Sequence, residues 1–269
     1  SGADQRRVAG KFSSSLLKRV IAFQLSEPDN AVSIDLKDQI RTYWHERAAA
    51  FDDIASHRKE ADVWEQALAL AVSHVPKGST VLDLGAGTGA CALVMARLGH
   101  RVTAVDIAPA MIEHLKRRAE AEELSIKTLT ADVETFTMPC SSVDLVTMRN
   151  LLWTLPRPEL LLQNVRKTLR PGGVLMIADG FWDHDLSEQA SGETHCSHDR
   201  FIELYRPIAS ELPYCRGVGR AMIDRLVTTA GFTGLQHWSD RFERSPYDGV
   251  TDDFFLLTAS AEAVVEAGN

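Results

Sequence analysis

The sequence predicts an α/β fold: a doubly wound, seven-stranded, mostly parallel sheet with a C-terminal antiparallel hairpin. Three observations carry this. From Thr80 onward, short apolar runs alternate with amphipathic stretches, the rhythm of parallel strands joined by crossover helices. The first run, Val81 to Leu84, leads directly into Gly85-Ala86-Gly87-Thr88-Gly89 and then an amphipathic stretch to Leu98, the pattern of a strand, a tight turn and a helix N-terminus. The last two runs are separated only by Arg244-Ser245-Pro246-Tyr247-Asp248-Gly249, with no helical pattern between them, so one strand at that edge runs antiparallel.

The elements follow in order. Residues 1–75 read as an N-terminal helical segment. Helical apolar spacing runs from Phe12 to Leu25, from Asp35 to Phe51 and from about Lys59 to His74, until Pro76-Lys77-Gly78 breaks the pattern. A cap over a site and a dimer contact are the two roles open to these helices. Residues 76–269 read as the sheet domain. Strands are expected at 80–84, 101–105, 126–130, 143–148, 173–179, 234–241 and 253–259, and helices at 89–98, 109–122, about 158–169 and 217–230. Leu169-Arg170-Pro171-Gly172-Gly173 is a turn opening the buried run Val174 to Ala178. Residues 181–216 are the least regular piece and carry Trp182, Asp183, His184, His195 and His198. They follow the carboxyl end of the fifth strand, the edge where open α/β sheets bind ligands, so a lid-like insertion or substrate wall is expected there.

Composition narrows the partners. Of the 269 residues 45% are hydrophobic and 25% charged, the balance of a globular protein. A net charge of −8 argues against a surface built to neutralise phosphates, so nucleic acid is not an expected partner. Lys116-Arg117-Arg118 reads as a solvated helix face. Four cysteines, at 91, 140, 196 and 215, form no CxxC spacing, which fits a reducing cytoplasm, and Cys91 falls within a helical pattern as a buried thiol. No signal-peptide pattern and no apolar run near membrane length is read, so no membrane partner is expected. His195 and His198 have ligand-like spacing but no evident third ligand, and no metal is expected.

The glycine stretch points to a ligand. Gly85 and Gly87 lack a Cβ, so the chain can turn sharply and a ligand can lie against it. Asp83, at the end of the first run, offers a counter-charge to a cationic or amino-bearing group. Seventeen residues beyond Gly89 the second run ends in Asp106, placed to accept both hydrogen bonds of a ribose diol. The third glycine is not spaced as in the G-x-G-x-x-G fingerprint, which sets a nicotinamide-dependent oxidoreductase behind other readings.

Asp83-Leu84-Gly85-Ala86-Gly87-Thr88-Gly89 resembles the glycine-rich motif of class I S-adenosylmethionine-dependent methyltransferases. The stretch from about Thr80 to Ala178 resembles their small-molecule, type 11 branch. Asp106-Ile107 then matches that family's ribose-binding acid and its neighbour, Ala108-Pro109-Ala110-Met111 resembles Ser-Pro-x-Met beside the adenine, and Ala131-Asp132-Val133 resembles Gly-Asp-Ala, whose acid accepts from the adenine amine. Arg149-Asn150-Leu151-Leu152-Trp153-Thr154-Leu155 resembles a His-x-Leu-Trp-x-Leu loop of one bacterial subset, with Asn150 in place of His. Leu169 to Gly173 is the frequent "LRPGG" turn.

The resemblance implies S-adenosyl-L-methionine as cofactor, S-adenosyl-L-homocysteine as product and a Rossmann-like fold. It implies a cofactor set of Tyr43, Asp83, Gly85, Ala86, Gly87, Asp106, Ile107, Met111, Asp132, Val133 and Arg149. Tyr43 closes over the methionine end in related enzymes, and Arg47 lies one turn away on the same face. Arg149 is a candidate for the methionine carboxylate or an anionic acceptor. Asn150, Trp153 and Trp182 are candidates to frame the acceptor. No catalytic base is singled out: His45, Asp183, His184, His195 and His198 are the weak candidates. The expected reaction is in-line methyl transfer to a small molecule of secondary metabolism, leaning to a heterocycle nitrogen, with oxygen or sulfur open. A cofactor-binding regulatory protein without turnover is the other reading. The Arg149-Asn150-Leu151-Leu152 loop lacks the Asn-Pro-Pro-aromatic signature of nucleic-acid base methylation.

Overall fold

The structure, a computed structural model, describes residues 34–51, 61–181, 186, 196–242 and 254–262, with the backbone alone at 34, 35 and 196–198. The helix expected over residues 12–25 lies outside them. Helices α1 (Ile34–Phe51) and α2 (Ala61–Ala71) precede the sheet. Then come β1 (Thr80–Leu84), α3 (Ala92–Arg97), β2 (Arg101–Asp106), α4 (Pro109–Ala121), β3 (Ile126–Thr130), β4 (Val143–Arg149), α5 (Pro158–Thr168) and β5 (Leu169–Asp179). The chain closes with α6 (Cys196–Tyr205), α7 (Arg220–Thr229), β6 (Thr233–His237) and β7 (Phe255–Ala261).

The strands form one seven-stranded sheet in the order β3-β2-β1-β4-β5-β7-β6. The first five are parallel, and β7 is antiparallel to both β5 and β6. The chain winds outward from β1 in both directions, so a cleft opens at the strands' carboxyl ends between β1 and β4.

Side chains alternate between the two faces, as a pleated strand requires. On β1, Leu82 and Leu84 join a core with Leu161, Leu162 and Val165 of α5 and Ile223, Leu226 and Val227 of α7. Val81 points the other way, into a core with Trp64, Leu68 and Ala71 of α2, Leu93 and Met95 of α3 and Leu115 of α4. Both faces of the central strands are thus covered, which is why they read as continuous apolar runs.

The elements depart from the sequence expectation most at the following places. The helix expected over 89–98 begins only at Ala92, because Gly85, Gly87 and Gly89 all take positive φ and hold the turn open. Strand β5 starts at Leu169, which pairs with Val143; Arg170 to Gly173 form an irregularity before Val174 pairs with Leu145. Strand β6 stops at His237, where a 3-10 turn over Ser239–Arg241 follows. The segment expected to be irregular holds the ten-residue helix α6 and a 3-10 helix over Arg206–Glu211.

Candidate active site

A cavity of about 410 Å³, within the range usual for small-molecule sites, opens at the carboxyl ends of β1, β2 and β4. The turn after β1 forms its floor. Gly85 has φ +64° and Gly87 has φ +53°, conformations costly for most residues that carry a Cβ. The two glycines serve different needs. A Cβ on Gly85 would lie 2.6 Å from Leu151 Cδ1, so the loop after β4 packs directly on this turn. A Cβ on Gly87 would meet nothing within 4 Å among the described residues, and Gly87 faces the cavity.

Three acids stand at successive strand ends. Asp106 closes β2: its Oδ2 accepts the Gly87 N–H at 2.8 Å and its Oδ1 accepts the Ala108 N–H at 2.8 Å. It ties the glycine turn to the start of α4 while keeping lone pairs for a ligand. Burial pushes its pKa up, against the pull of these backbone donors. Asp83 is buried, and its Oδ1 accepts the Thr147 hydroxyl at 2.6 Å. Burial pushes its pKa up to about 7, with the Thr147 hydroxyl, the Ala92 N–H and the nearby Arg149 guanidinium opposing. Its Oδ2 is buried and makes no geometric hydrogen bond among the described residues. Asp132, beyond β3, accepts from Lys37 Nζ at 3.0 Å and from the Glu134 N–H at 3.1 Å.

Arg149 ends β4. Its guanidinium carbon lies 4.0 Å from the Trp64 ring centroid, and its Nε and Nη2 are buried without a hydrogen-bond acceptor among the described residues. The cavity therefore holds an orphaned carboxylate oxygen and an orphaned guanidinium edge, orphaned in that neither makes a hydrogen bond among the described residues, although their charges attract each other. Two such groups are costly unless a ligand completes them. Cys91 lines the same end as a neutral thiol, since burial pushes its pKa far up.

The loop after β4 supplies the next wall. Asn150 takes φ +52°, a left-handed conformation Asn tolerates, and its N–H donates to the Ala178 carbonyl at 2.8 Å. Asp179 accepts the Leu152 N–H at 3.2 Å, fastening this loop to the end of β5. Trp153 thereby meets Trp44 of α1 (ring centroids 5.8 Å apart) and Phe201 and Tyr205 of α6 (6.1 and 5.5 Å). Tyr43 meets Trp44, Phe201 and Tyr205 at 5.0, 5.4 and 5.2 Å, and Trp44 Nε1 donates to Tyr205 Oη at 2.9 Å.

Every residue the resemblance assigned to the cofactor lines this one cavity: Tyr43, Asp83, Gly85, Ala86, Gly87, Asp106, Ile107, Met111, Asp132, Val133 and Arg149. Asn150 and Trp153 line it too. Trp182, Asp183, His184 and His195 lie outside the described residues, as does the side chain of His198. His45 is corrected. It is exposed and does not line the cavity; its Nδ1 accepts the Ala110 N–H at 3.3 Å, so it caps the first turn of α4. Residue 45 falls on the opposite side of α1 from its cavity face. Ile40, Tyr43 and Trp44 share one side of this helix in the sequence as well, while Lys37 and Phe51 extend that cavity face with the same three-and-four spacing. Phe201 was missed because the polar residues before it obscured the helix it sits on.

Comparison with known proteins agrees with this geometry. Residues 82–177 match a family described as a methyltransferase domain. A ubiquinone biosynthesis O-methyltransferase of Coxiella burnetii is 33% identical over 102 residues, covering 38% of this chain and 44% of that protein. A malonyl-[acyl-carrier protein] O-methyltransferase of Serratia marcescens is 27% identical over 198 residues, covering 71% and 72%. A tRNA 5-carboxymethoxyuridine methyltransferase of Escherichia coli is 31% identical over 157 residues, covering 51% and 59%. The matched stretch thus spans from under half to about three quarters of these relatives. A solved structure of a Methanococcus maripaludis protein assigned to the S-adenosyl-L-methionine-dependent methyltransferases shares the fold, with TM-score 0.57 and 17% identity over 83% of this chain and 95% of that one. Residues 82–177 of this protein thus match a methyltransferase domain, and the fold is that of solved S-adenosylmethionine-dependent methyltransferases.

The site's residues fit the cofactor of that class. The orphaned Asp83 Oδ2 suits an ammonium, the orphaned Arg149 edge a carboxylate, Asp106 a ribose diol, and the open face of Gly87 allows the close approach of a ligand.

Proposed function

We propose that this protein is a methyltransferase that binds S-adenosyl-L-methionine between the glycine turn and α1 and methylates a small molecule at nitrogen or oxygen. The orphaned pair Asp83 and Arg149 is the observation that carries this reading, since an α-amino acid moiety carries both complementary charges. When bound, the cofactor supplies an electrophilic methyl carbon on a sulfonium.

The chain's own residues bind, orient and exclude water. Asp83 Oδ2 accepts from the ammonium and Arg149 pairs with the carboxylate. Asp106 accepts from the ribose hydroxyls with the lone pairs its backbone donors leave. Asp132 accepts from the adenine amine beside Ile107, Met111 and Val133. Holding a donor and an acceptor in line is the main source of rate in such a transfer, worth up to about 7–11 kcal/mol. The 1–75 segment acts through α1 as a cap, and the 181–216 insertion acts through α6 as an acceptor wall, with Trp153 and Asn150 beside it.

A small acceptor is supported by the enclosing aromatic walls and by the net charge of −8, which disfavours a polyanion. Two relatives named for O-methylation support oxygen; the Leu-Trp-x-Leu loop supports nitrogen. Among the described residues no helix is long and apolar enough to cross a membrane, and a reducing cytoplasm fits the cysteine pattern. The test is turnover. The protein is incubated with S-adenosyl-L-methionine and panels of heterocyclic amines, phenols and small acids, with tRNA alongside. Gain of one methyl by a small compound supports the proposal. Methylation confined to tRNA overturns the acceptor class.

A further inference from the structure

The cavity contains one more cation than the cofactor can use. Its charged lining residues are Lys37, Arg47, Asp83, Asp106, Asp132 and Arg149. The proposed cofactor contacts account for the three acids and Arg149. Lys37 is held by Asp132 and by Glu134, whose Oε2 lies 2.6 Å from its Nζ. Arg47 remains. The other charged side chains described on α1 are engaged elsewhere: Arg41 pairs with Asp38, and Glu46 with Arg200. Arg47 forms no ion pair with a carboxylate among the described residues.

Its placement is defined by its neighbours. Tyr43 and Phe51 lie one turn before and one turn after it, and all three line the cavity. Trp44, Trp153 and Phe201 extend the same wall: Trp44 and Phe201 meet Tyr43 edge to face, and Trp153 meets Trp44 and Phe201 in the same way. A half-buried guanidinium in aromatic surroundings attracts an anion more strongly than one in water, and its planar fork matches a carboxylate. Edge-to-face rings also form the walls that a further flat ring fills well.

Resting on the methyltransferase reading above, we propose that the acceptor is a planar aromatic acid, its ring against Tyr43, Trp44, Trp153 and Phe201 and its carboxylate on Arg47. A negative acceptor is also matched to the donor's sulfonium. Two opposite charges brought together in a site of low dielectric attract strongly, so the anion anchored by Arg47 favours formation of the reactive pair.

The test uses the full chain saturated with S-adenosyl-L-homocysteine, with 2-naphthoate and its neutral isostere 2-naphthamide as probes and tryptophan fluorescence as readout. The acid is expected to bind at least tenfold more tightly than the amide. Arg47→Gln is expected to erase that preference, and Arg47→Lys to keep part of it. Trp153→Ala is expected to weaken both probes alike. Equal affinities in the unsubstituted protein, or a preference that survives Arg47→Gln, overturns the proposal. So does loss of homocysteine-product binding in Arg47→Gln, which assigns Arg47 to the cofactor. Binding of S-adenosyl-L-homocysteine without either naphthyl probe overturns this inference alone; failure of S-adenosyl-L-homocysteine to bind overturns the function beneath it.

Discussion

Lys37 Nζ lies 2.6 Å from Glu134 Oε2, and the Glu134 side chain has no exposed surface. This pair, with Asp132 on the same ammonium, joins α1 to the loop after β3. Glu134 also accepts the Arg157 N–H at 2.6 Å, so the anchor reaches the start of α5. Removing the lysine leaves a buried carboxylate uncompensated, which costs about 3–5 kcal/mol in comparable sites. Lys37→Met is expected to lower the unfolding free energy on that scale in urea titration. Lys37→Met combined with Glu134→Gln should recover part of the loss, because a neutral amide needs no counter-charge. Equal losses in the single and double variants would show that the pair is not what holds α1.

Asp83 makes the apo protein and the complex respond oppositely to pH. Burial raises its folded pKa to about 7, above its unfolded value, so the folded state holds more protons between those two pH values. Stability of the ligand-free protein therefore falls as pH rises from about 4 to about 7 on this group's account. Ligand binding needs the ionised carboxylate, so affinity for S-adenosyl-L-homocysteine should rise over the range approaching pH 7, by at most about tenfold per pH unit, and then level off. Asp83→Asn should flatten that profile and make the ligand-free protein more stable at pH 8. Calorimetric titration and thermal melts across pH 5.5 to 8.5 check both signs.

The glycine turn separates folding from binding. Gly85→Ala places a methyl against Leu151 at a positive φ, and is expected to destabilise the fold. Gly87→Ala meets open space and carries only the strain of its φ, about 1–2 kcal/mol. The second variant should melt near the unsubstituted protein yet lose cofactor affinity, because its methyl projects into the ligand's space. Normal affinity in a folded Gly87→Ala would remove the cofactor from that surface.

Asp106 holds the Gly87 and Ala108 amides with separate oxygens. Asp106→Ala is expected to weaken S-adenosyl-L-homocysteine at least tenfold and to loosen the turn as well. Asp106→Asn should hold one of the two amides and fall between. Melting curves beside titrations separate the two effects; unchanged affinity in both variants would sink the ribose assignment.

What could be read before the structure was local. Val81 to Asp83 and Val102 to Asp106 announce strands ending in acids because a buried parallel strand must be apolar on both faces, and the glycines mark the turn because only they take its φ without cost. The hairpin at the C-terminal edge was legible, but not that β7 lies inside it between β5 and β6, since strand order depends on contacts distant in sequence. The same limit hid Lys37, whose partners lie beyond β3, and the meeting of Trp44 and Trp153 with Tyr205. Helix α6 was concealed by the polar residues of its first turn, although Phe201, Ile202 and Tyr205 carry a helical spacing and are buried. His45 looked available for catalysis because sequence alone shows no helix rotation; the structure turns it toward Ala110.

The central claim is that the cavity at the ends of β1 and β4 receives the amino-acid end of S-adenosyl-L-methionine on Asp83 and Arg149. The most direct measurement is calorimetric titration of the full chain with S-adenosyl-L-homocysteine, adenosine and NAD in parallel, repeated on Arg149→Met. The account predicts saturable one-to-one binding of S-adenosyl-L-homocysteine, much weaker binding of adenosine, none of NAD, and a loss in Arg149→Met that falls on S-adenosyl-L-homocysteine and spares adenosine. Adenosine and S-adenosyl-L-homocysteine binding equally, or NAD binding alone, would contradict it.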